Sequence, residues 1–243
     1  MKQSTQLRTT QKFAPKDEVS KNAQLLIRAG YVHKEMAGVY SYLPLGARVM
    51  AKIEAIIRQE MDAIGGQELR MATLHPSEPW KQTGAWENVD VLFKIQSRTE
   101  KEYALGQSEE EIAIPIAQKF VHSYKDMPVA LYQIGQKYRN QLRAKSGIMR
   151  GREFGMKDMY SFHETQEDFD TFFEQVKAAY FRIYTRCWLT AKATEASGGS
   201  FSDKISYEFM ILTDAGEDDV VYCDQCEYCA NVEVAKNKDG DTC

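Results

Sequence analysis

No apolar run in this chain approaches roughly 18 residues, so the sequence offers no candidate for a membrane-crossing helix. Met1-Lys2-Gln3-Ser4-Thr5-Gln6 does not open a signal peptide, and the cytoplasm is the expected compartment. Charge of one sign is scarce: 31 basic against 35 acidic side chains leave a net charge of −4, which creates no global field to gather nucleic acid. Any RNA contact must then come from a local patch such as Arg139, Arg143, Lys145, Arg150 and Arg152. There is no Gly-rich phosphate loop, internal repeat or low-complexity tract. Cysteine is sparse and uneven, with five residues of which four fall at or after Cys223. In a reducing compartment those four need an explanation other than disulfides. The remainder, 43% hydrophobic and 27% charged, is that of an ordinary globular protein. A chain of 243 residues buries roughly 70–75% of its unfolded surface, enough for one large domain or a domain with an appendage.

Hydrophobic periodicity places the elements. Asn22 to Ala29 reads as a helix closed by Gly30. A short strand and turn around Gly38 to Gly46 lead into a longer helix from about Ala47 to Ile64, whose Val49, Ile53, Ile56, Ile57 and Met61 form one apolar face. Gly65-Gly66 stops it, and Gln67 to Leu74 reads as a strand. Lys101 to Leu105 is a further strand, followed by a helix to about Tyr124 with Ser108 as N-cap and Glu111 as its capping-box partner. Met127 to Tyr138 and Phe154 to Phe162 read as an antiparallel strand pair. Glu164 to Arg186 is strongly helical, with Phe169, Phe172, Phe173, Val176, Ala179, Tyr180 and Ile183 expected on a core-facing stripe and Cys187 expected to be buried. Ala191 to Ala196 and Tyr207 to Leu212 are strands around a Gly-Ser loop.

The strand pair carries the chemistry. Tyr138-Arg139-Asn140-Gln141 is followed, after a basic loop, by Arg150-Gly151-Arg152-Glu153-Phe154-Gly155-Met156-Lys157-Asp158. Arginine forks suit phosphate oxygens, and an aromatic face suits a purine. An Arg followed by Arg-x-x-x-Phe-x-x-x-Asp resembles motif 2 of the class II aminoacyl-tRNA synthetases. The tail Lys157-Asp158-Met159-Tyr160-Ser161-Phe162-His163 narrows the resemblance to the prolyl-tRNA synthetase family. The earlier helix–strand passage resembles motif 1, which builds a homodimer interface in that class, although Ala72 follows Met71 where the family has proline. The implied fold is α+β, an antiparallel sheet flanked by helices. Residues 1–222 would form the catalytic core and residues 223–243 a cysteine-rich, zinc-ribbon-like segment.

The resemblance also implies an activity: ATP-dependent activation of L-proline to prolyl-adenylate and its transfer to tRNA(Pro). Arg139 and Arg150 would be the catalytic arginines, on the α- and γ-phosphates. Phe154 would stack on adenine, Gln141 would meet the adenine amino group in place of the family's glutamate, and Asp158 completes the ATP motif. Mg²⁺ would bridge the phosphates. Gly106 to Glu111 resembles the family's Gly-Pro-Thr-x-Glu-Glu, so Ser108 and Glu110 would reach proline, with Glu109 standing where the family carries histidine. Arg139 would also hold the proline carboxylate, and Phe162 and His163 would wall the ring. Gly198, Gly199, Ser200 and Tyr207 resemble the Gly-Gly-Ser-x-Ser-His-Glu-Phe strand that floors the amino-acid pocket, Tyr207 replacing histidine.

Cys223 and Cys226, then sixteen residues, then Cys243 match three positions of a zinc ribbon. Either Cys229 supplies the fourth ligand or the natural chain continues. The resemblance favours continuation, since motif 3, an editing insertion and an anticodon-binding domain would follow. Two other functions fit the same residues. One is a noncatalytic synthetase-like module that binds a nucleotide or tRNA, consistent with Gln141, Ala72 and Tyr207. The other is a zinc-ribbon nucleic-acid binder. Adenylate formation separates the first reading from both.

Overall fold

The computed structural model describes residues 5, 7, 10–144, 146–198, 205–214, 216 and 218–236. It divides into two compact units, Met1–Phe173 and Glu174–Cys243. In chain order the first carries α1 (Lys21–Arg28), β1 (Val32–Met36), β2 (Val39–Tyr42), α2 (Pro44–Ala63), β3 (Gly66–Glu68) and β4 (Leu74–Pro76). It continues with α3 (Ser77–Gln82), α4 (Ala85–Asn88), β5 (Phe93–Gln96), β6 (Glu102–Leu105), α5 (Glu110–Phe120), β7 (Val129–Tyr138) and β8 (Glu153–Phe162). Helix α6 (Gln166–Arg186) runs across the division, and the second unit holds β9 (Lys192–Ser197), β10 (Ile205–Met210), β11 (Val220–Tyr222) and β12 (Cys229–Asn231).

Local chemistry explains the helix boundaries. Helix α1 ends as expected: Gly30 takes φ 73° and Tyr31 N donates to Leu26 O, a left-handed glycine stop. Helix α2 starts at Pro44, where the missing N–H costs nothing, and ends before Gly65 at φ 85°. Its N-terminus lies three residues before the expected Ala47, because proline fits the first helical position.

The sheets are mostly antiparallel. The long hairpin pairs β7 with β8 from Val129↔Phe162 to Tyr138↔Glu153. Strand β3 adds to β7 in parallel, and β4, β6 and β5 make a second three-stranded sheet. The expected continuous strand from Gln67 to Leu74 is broken. Beyond β3 the chain leaves the ladder, Met71 N being held instead by the side chain of Gln133, and β4 joins β6. In the second unit the order is β10-β9-β12-β11, with β12 parallel to β9.

One apolar cluster gathers Trp80, Trp86, Leu92 and Ala104 beside β6, and another joins Ala23, Ile27 and Val32. The stripe on α6 is only partly core. Ala179 and Ile183 are buried, and Tyr180, Phe181 and Tyr184 pack on Phe209, but Phe169 and Phe173 are each 39% exposed. Cys187 lies just past the helix end and is half-buried rather than buried, since its backbone is already turning.

Candidate active site

The hairpin register decides which side chains share a face. Alternation along β7 and β8 sets Gln133, Gly135 and Lys137 beside Phe154, Met156, Asp158, Tyr160 and Phe162. Arg139 follows just past the end of β7, where its N–H donates to Arg152 O at 2.8 Å. Its guanidinium lies 5.4 Å from the centre of the Phe154 ring, and Nε donates to Gln107 O at 3.4 Å. Burial lowers the pKa of this half-buried arginine, and the charge of Glu110 partly offsets that. Arg139, the Phe154 ring and the loop 106–110 are thus in contact in one unit.

That loop is sewn to the hairpin. Tyr138 N donates to Gly106 O, Gly106 N to Thr73 O, and Glu109 N to the Tyr160 hydroxyl, each at 2.9 Å. The expected capping box is absent. Helix α5 begins at Glu110 with Glu109 in the N-cap position and no side-chain cap. The hydroxyl of Ser108 donates to the Glu110 carboxylate instead, so the two expected proline contacts lie against each other. Gln107 Nε2 donates to Ser108 Oγ at 3.1 Å.

Glu109 turns underneath. It is fully buried, with Oε1 accepting from Lys137 Nζ at 2.9 Å and Oε2 lying 2.8 Å from His75 Nε2, off the line of a straight hydrogen bond. Lys137 Nζ is also 3.0 Å from Asp158 Oδ1, and Tyr160 donates to Asp158 Oδ2 at 2.9 Å. Burial alone would raise the pKa of Glu109, but His75 and Lys137 together hold it below the usual glutamate value. Tyr160 is pushed far up, by burial first and then by Glu110 and Asp158, so its hydroxyl stays a donor. Asp158, expected on the ATP, is therefore a buried partner of Lys137 and Tyr160, 9% exposed.

The other expected residues take the following positions. Arg150 is exposed and Gln141 half-buried, its carbonyl accepting from Arg152 Nε at 3.0 Å. Phe162 ends β8 opposite Val129. His163 is tied to Asp168, Nδ1 to Oδ2 at 2.6 Å, and its ring packs against Phe169 and Phe172. In the second unit, Gly198 follows β9, Tyr207 pairs with Glu195, and Lys177 Nζ sits 4.3 Å from the Tyr207 ring centre. Gly199, Ser200, Lys145 and Cys243 lie outside the described residues. Cys223 Sγ accepts from Gln225 N at 3.3 Å, Cys226 is exposed, and Cys229 is buried with Sγ 3.2 Å from Thr194 Oγ1. Among the described residues no group of three or more His, Cys, Asp or Glu side chains is arranged to hold a metal.

Lys137, His75 and Tyr160 carry this site and were not singled out from the sequence. Period-two alternation back from Arg139 points to Lys137, a lone lysine among the neutral residues of β7. Nothing local marks His75, whose partner is 34 positions away in the chain.

Residues 93–238 match the family described as the tRNA synthetase class II core domain (G, H, P, S and T). The chain belongs to that family. Among its relatives, a proline–tRNA ligase of Shouchella clausii is 45% identical over 97% of this chain and 42% of its own length. One from an Anaeromyxobacter species is 46% identical over 94% of this chain and 40% of its own. The chain thus spans about two fifths of the length of these curated relatives. The prolyl-tRNA synthetase of Cryptosporidium parvum, solved with L-proline and AMP, shares the class II fold at a TM-score of 0.68 and 16% identity, over 76% of this chain and 38% of that one. Mixed α+β architecture is therefore shown for this member. Among the described residues no helix is long and apolar enough to cross a membrane.

Proposed function

We propose that the chain is part of the catalytic portion of a proline–tRNA ligase, joining L-proline to AMP and serving transfer to tRNA(Pro). The observation that carries this is the contact of Arg139 with the Phe154 ring and with Gln107 O, next to Ser108 and Glu110, which supports a phosphate-binding arginine, a purine platform and an amine-binding carboxylate acting at one site. The names of the relatives and the ligands of the Cryptosporidium enzyme support the same substrates. In the reaction a proline carboxylate oxygen attacks the α-phosphorus, forming the acyl–phosphate bond as pyrophosphate leaves. No proton need move, so the protein's task is to hold both reactants and neutralise charge. Arg139 orients the carboxylate and α-phosphate, Arg150 takes the γ-phosphate, and Phe154 and Gln141 hold adenine. Ser108 and Glu110 take the secondary ammonium, with Phe162 and His163 walling the ring.

Magnesium supplies charge neutralisation on the phosphates in this chemistry. The described residues offer it no carboxylate cluster, since Asp158 is held by Lys137 and Tyr160, and no step depends on it here. A homodimer through the α2 and β3 region, a cytoplasmic setting and a cysteine-rich segment from Cys223 onward belong to the same proposal. The described thiols do not make a zinc site, with Cys229 seated on Thr194. A zinc centre would draw on Cys223, Cys226 and Cys243, with Cys229 as the fourth thiol of the set. Purified protein is expected to hold about one zinc ion that Cys226→Ser releases, as structural zinc sites do when a ligand is lost. Metal analysis giving metal-free wild type with intact thiols would refute it.

The deciding assay is proline-dependent exchange of pyrophosphate into ATP, with alanine and cysteine as controls. Proline-specific exchange is the expected result. No exchange, here and in a chain extended beyond Cys243, favours the noncatalytic nucleotide- or tRNA-binding module, the alternative to which Gln141 in place of the family glutamate points.

A further inference from the structure

Glu109 occupies the N-cap position of α5, where a carboxylate ordinarily turns back to accept from the first free helix N–H groups. Here it points the other way, toward the fully buried side chains of His75 and Lys137. Trp80 Nε1 donates to His75 Nδ1 at 3.3 Å. An indole N–H only donates, so Nδ1 is the acceptor, and the neutral ring carries its proton on Nε2, facing Glu109. The carboxylate is thus flanked by an ammonium that donates to Oε1 and an imidazole nitrogen 2.8 Å from Oε2. Gly106 closes the space: a Cβ there would stand 2.8 Å from Glu109 Oε1 and 2.9 Å from His75 Nε2.

The residues on either side of Glu109 are the ones assigned to proline. With its side chain anchored below and its N–H held by Tyr160, residue 109 sets the position of Ser108 and Glu110. We propose that the buried pair of Glu109 and His75 is a positioning element for this loop, holding Ser108 and Glu110 at the pocket while touching no ligand itself. Its role in proline recognition rests on the function proposed above; its role in ordering the loop does not.

The test uses the full chain and two measurements, hydrogen exchange of the amides of residues 107–110 without ligand, and the proline dissociation constant. Glu109→Gln keeps the shape but offers one acceptor to two donors, so one buried donor faces an amide NH₂ whichever way the group flips. His75→Leu removes the ring donor, whereas His75→Gln can still accept from Trp80 and donate to Glu109. Glu109→Gln and His75→Leu are expected to speed loop exchange and weaken proline about tenfold or more, the effect of one unsatisfied buried polar group. His75→Gln should stay within about threefold of wild type, with the amides of β7 and β8 unaffected in every variant. Unchanged loop exchange in Glu109→Gln overturns the proposal, and so does faster exchange with unchanged proline affinity. Equal loss of protection through the loop, β7 and β8 also overturns it, because the pair would then serve general stability. If wild type binds no proline while the loop loosens as expected, the proline assignment falls and the loop-ordering role stands.

Discussion

Arg139→Ala is expected to abolish proline-dependent pyrophosphate exchange and to weaken ATP binding by about two to three orders of magnitude. Truncating one partner of a close charge pair costs about 2–5 kcal/mol, and Arg139 is proposed to face both the proline carboxylate and the α-phosphate. The half-buried setting strengthens the effect, because the site is partly shielded from water and the charge of Glu110 reaches the guanidinium from the loop. Arg139→Lys separates charge from shape. It keeps the positive charge but not the planar fork, and should fall between wild type and alanine. Calorimetric titration with ATP gives the binding term, and exchange gives the chemistry. Unaltered ATP affinity in Arg139→Ala would remove the nucleotide assignment from this hairpin.

Lys137→Met is expected to produce the largest loss of stability. The side chain is fully buried between Glu109 and Asp158, and methionine fills its space without the charge. Two carboxylates would remain in the interior with only His75 and Tyr160 as donors. Breaking a buried ion pair on one side costs about 3–5 kcal/mol, which for a domain of this size lowers the melting temperature on the order of 10 °C. The pH response has a definite sign. The pKa of Glu109 is depressed in the folded state, so its contribution is present above the unfolded value of about 4.3 and is lost as pH falls through the folded value. Without Lys137, burial raises that folded value, and acid destabilisation should begin at a higher pH than in wild type. A melting temperature within a degree or two of wild type, measured by calorimetry across the acid range, would show that the network is not needed for folding.

Much of this was legible because the signals are local. Arg139, Phe154 and the segment from Lys157 to His163 lie on two strands joined by one loop, and strand alternation fixes their relative placement within a few residues. Helix ends were equally accessible at Gly30 and Gly65, where a left-handed residue is needed. The apparent capping box at Ser108 and Glu111 misled, because the Glu110 carboxylate competes for the serine hydroxyl at close range. The acid at 109 gave no hint of its partners. A carboxylate reads the same in sequence whether it caps a helix, binds a ligand or is buried against a histidine.

By itself the sequence determined the class II hairpin, the arginine and phenylalanine spacing, the order of helices and strands, and the resemblance to prolyl-tRNA synthetases. Each depends on periods and spacings that backbone geometry enforces over short distances. Tertiary structure alone decided that Asp158 belongs to Lys137, that Glu109 faces His75 across the loop, and that Cys229 packs on Thr194. Those outcomes depend on residues brought together from far apart in the chain. In a low-dielectric interior, the donor that arrives at a carboxylate or a thiol determines what that group does.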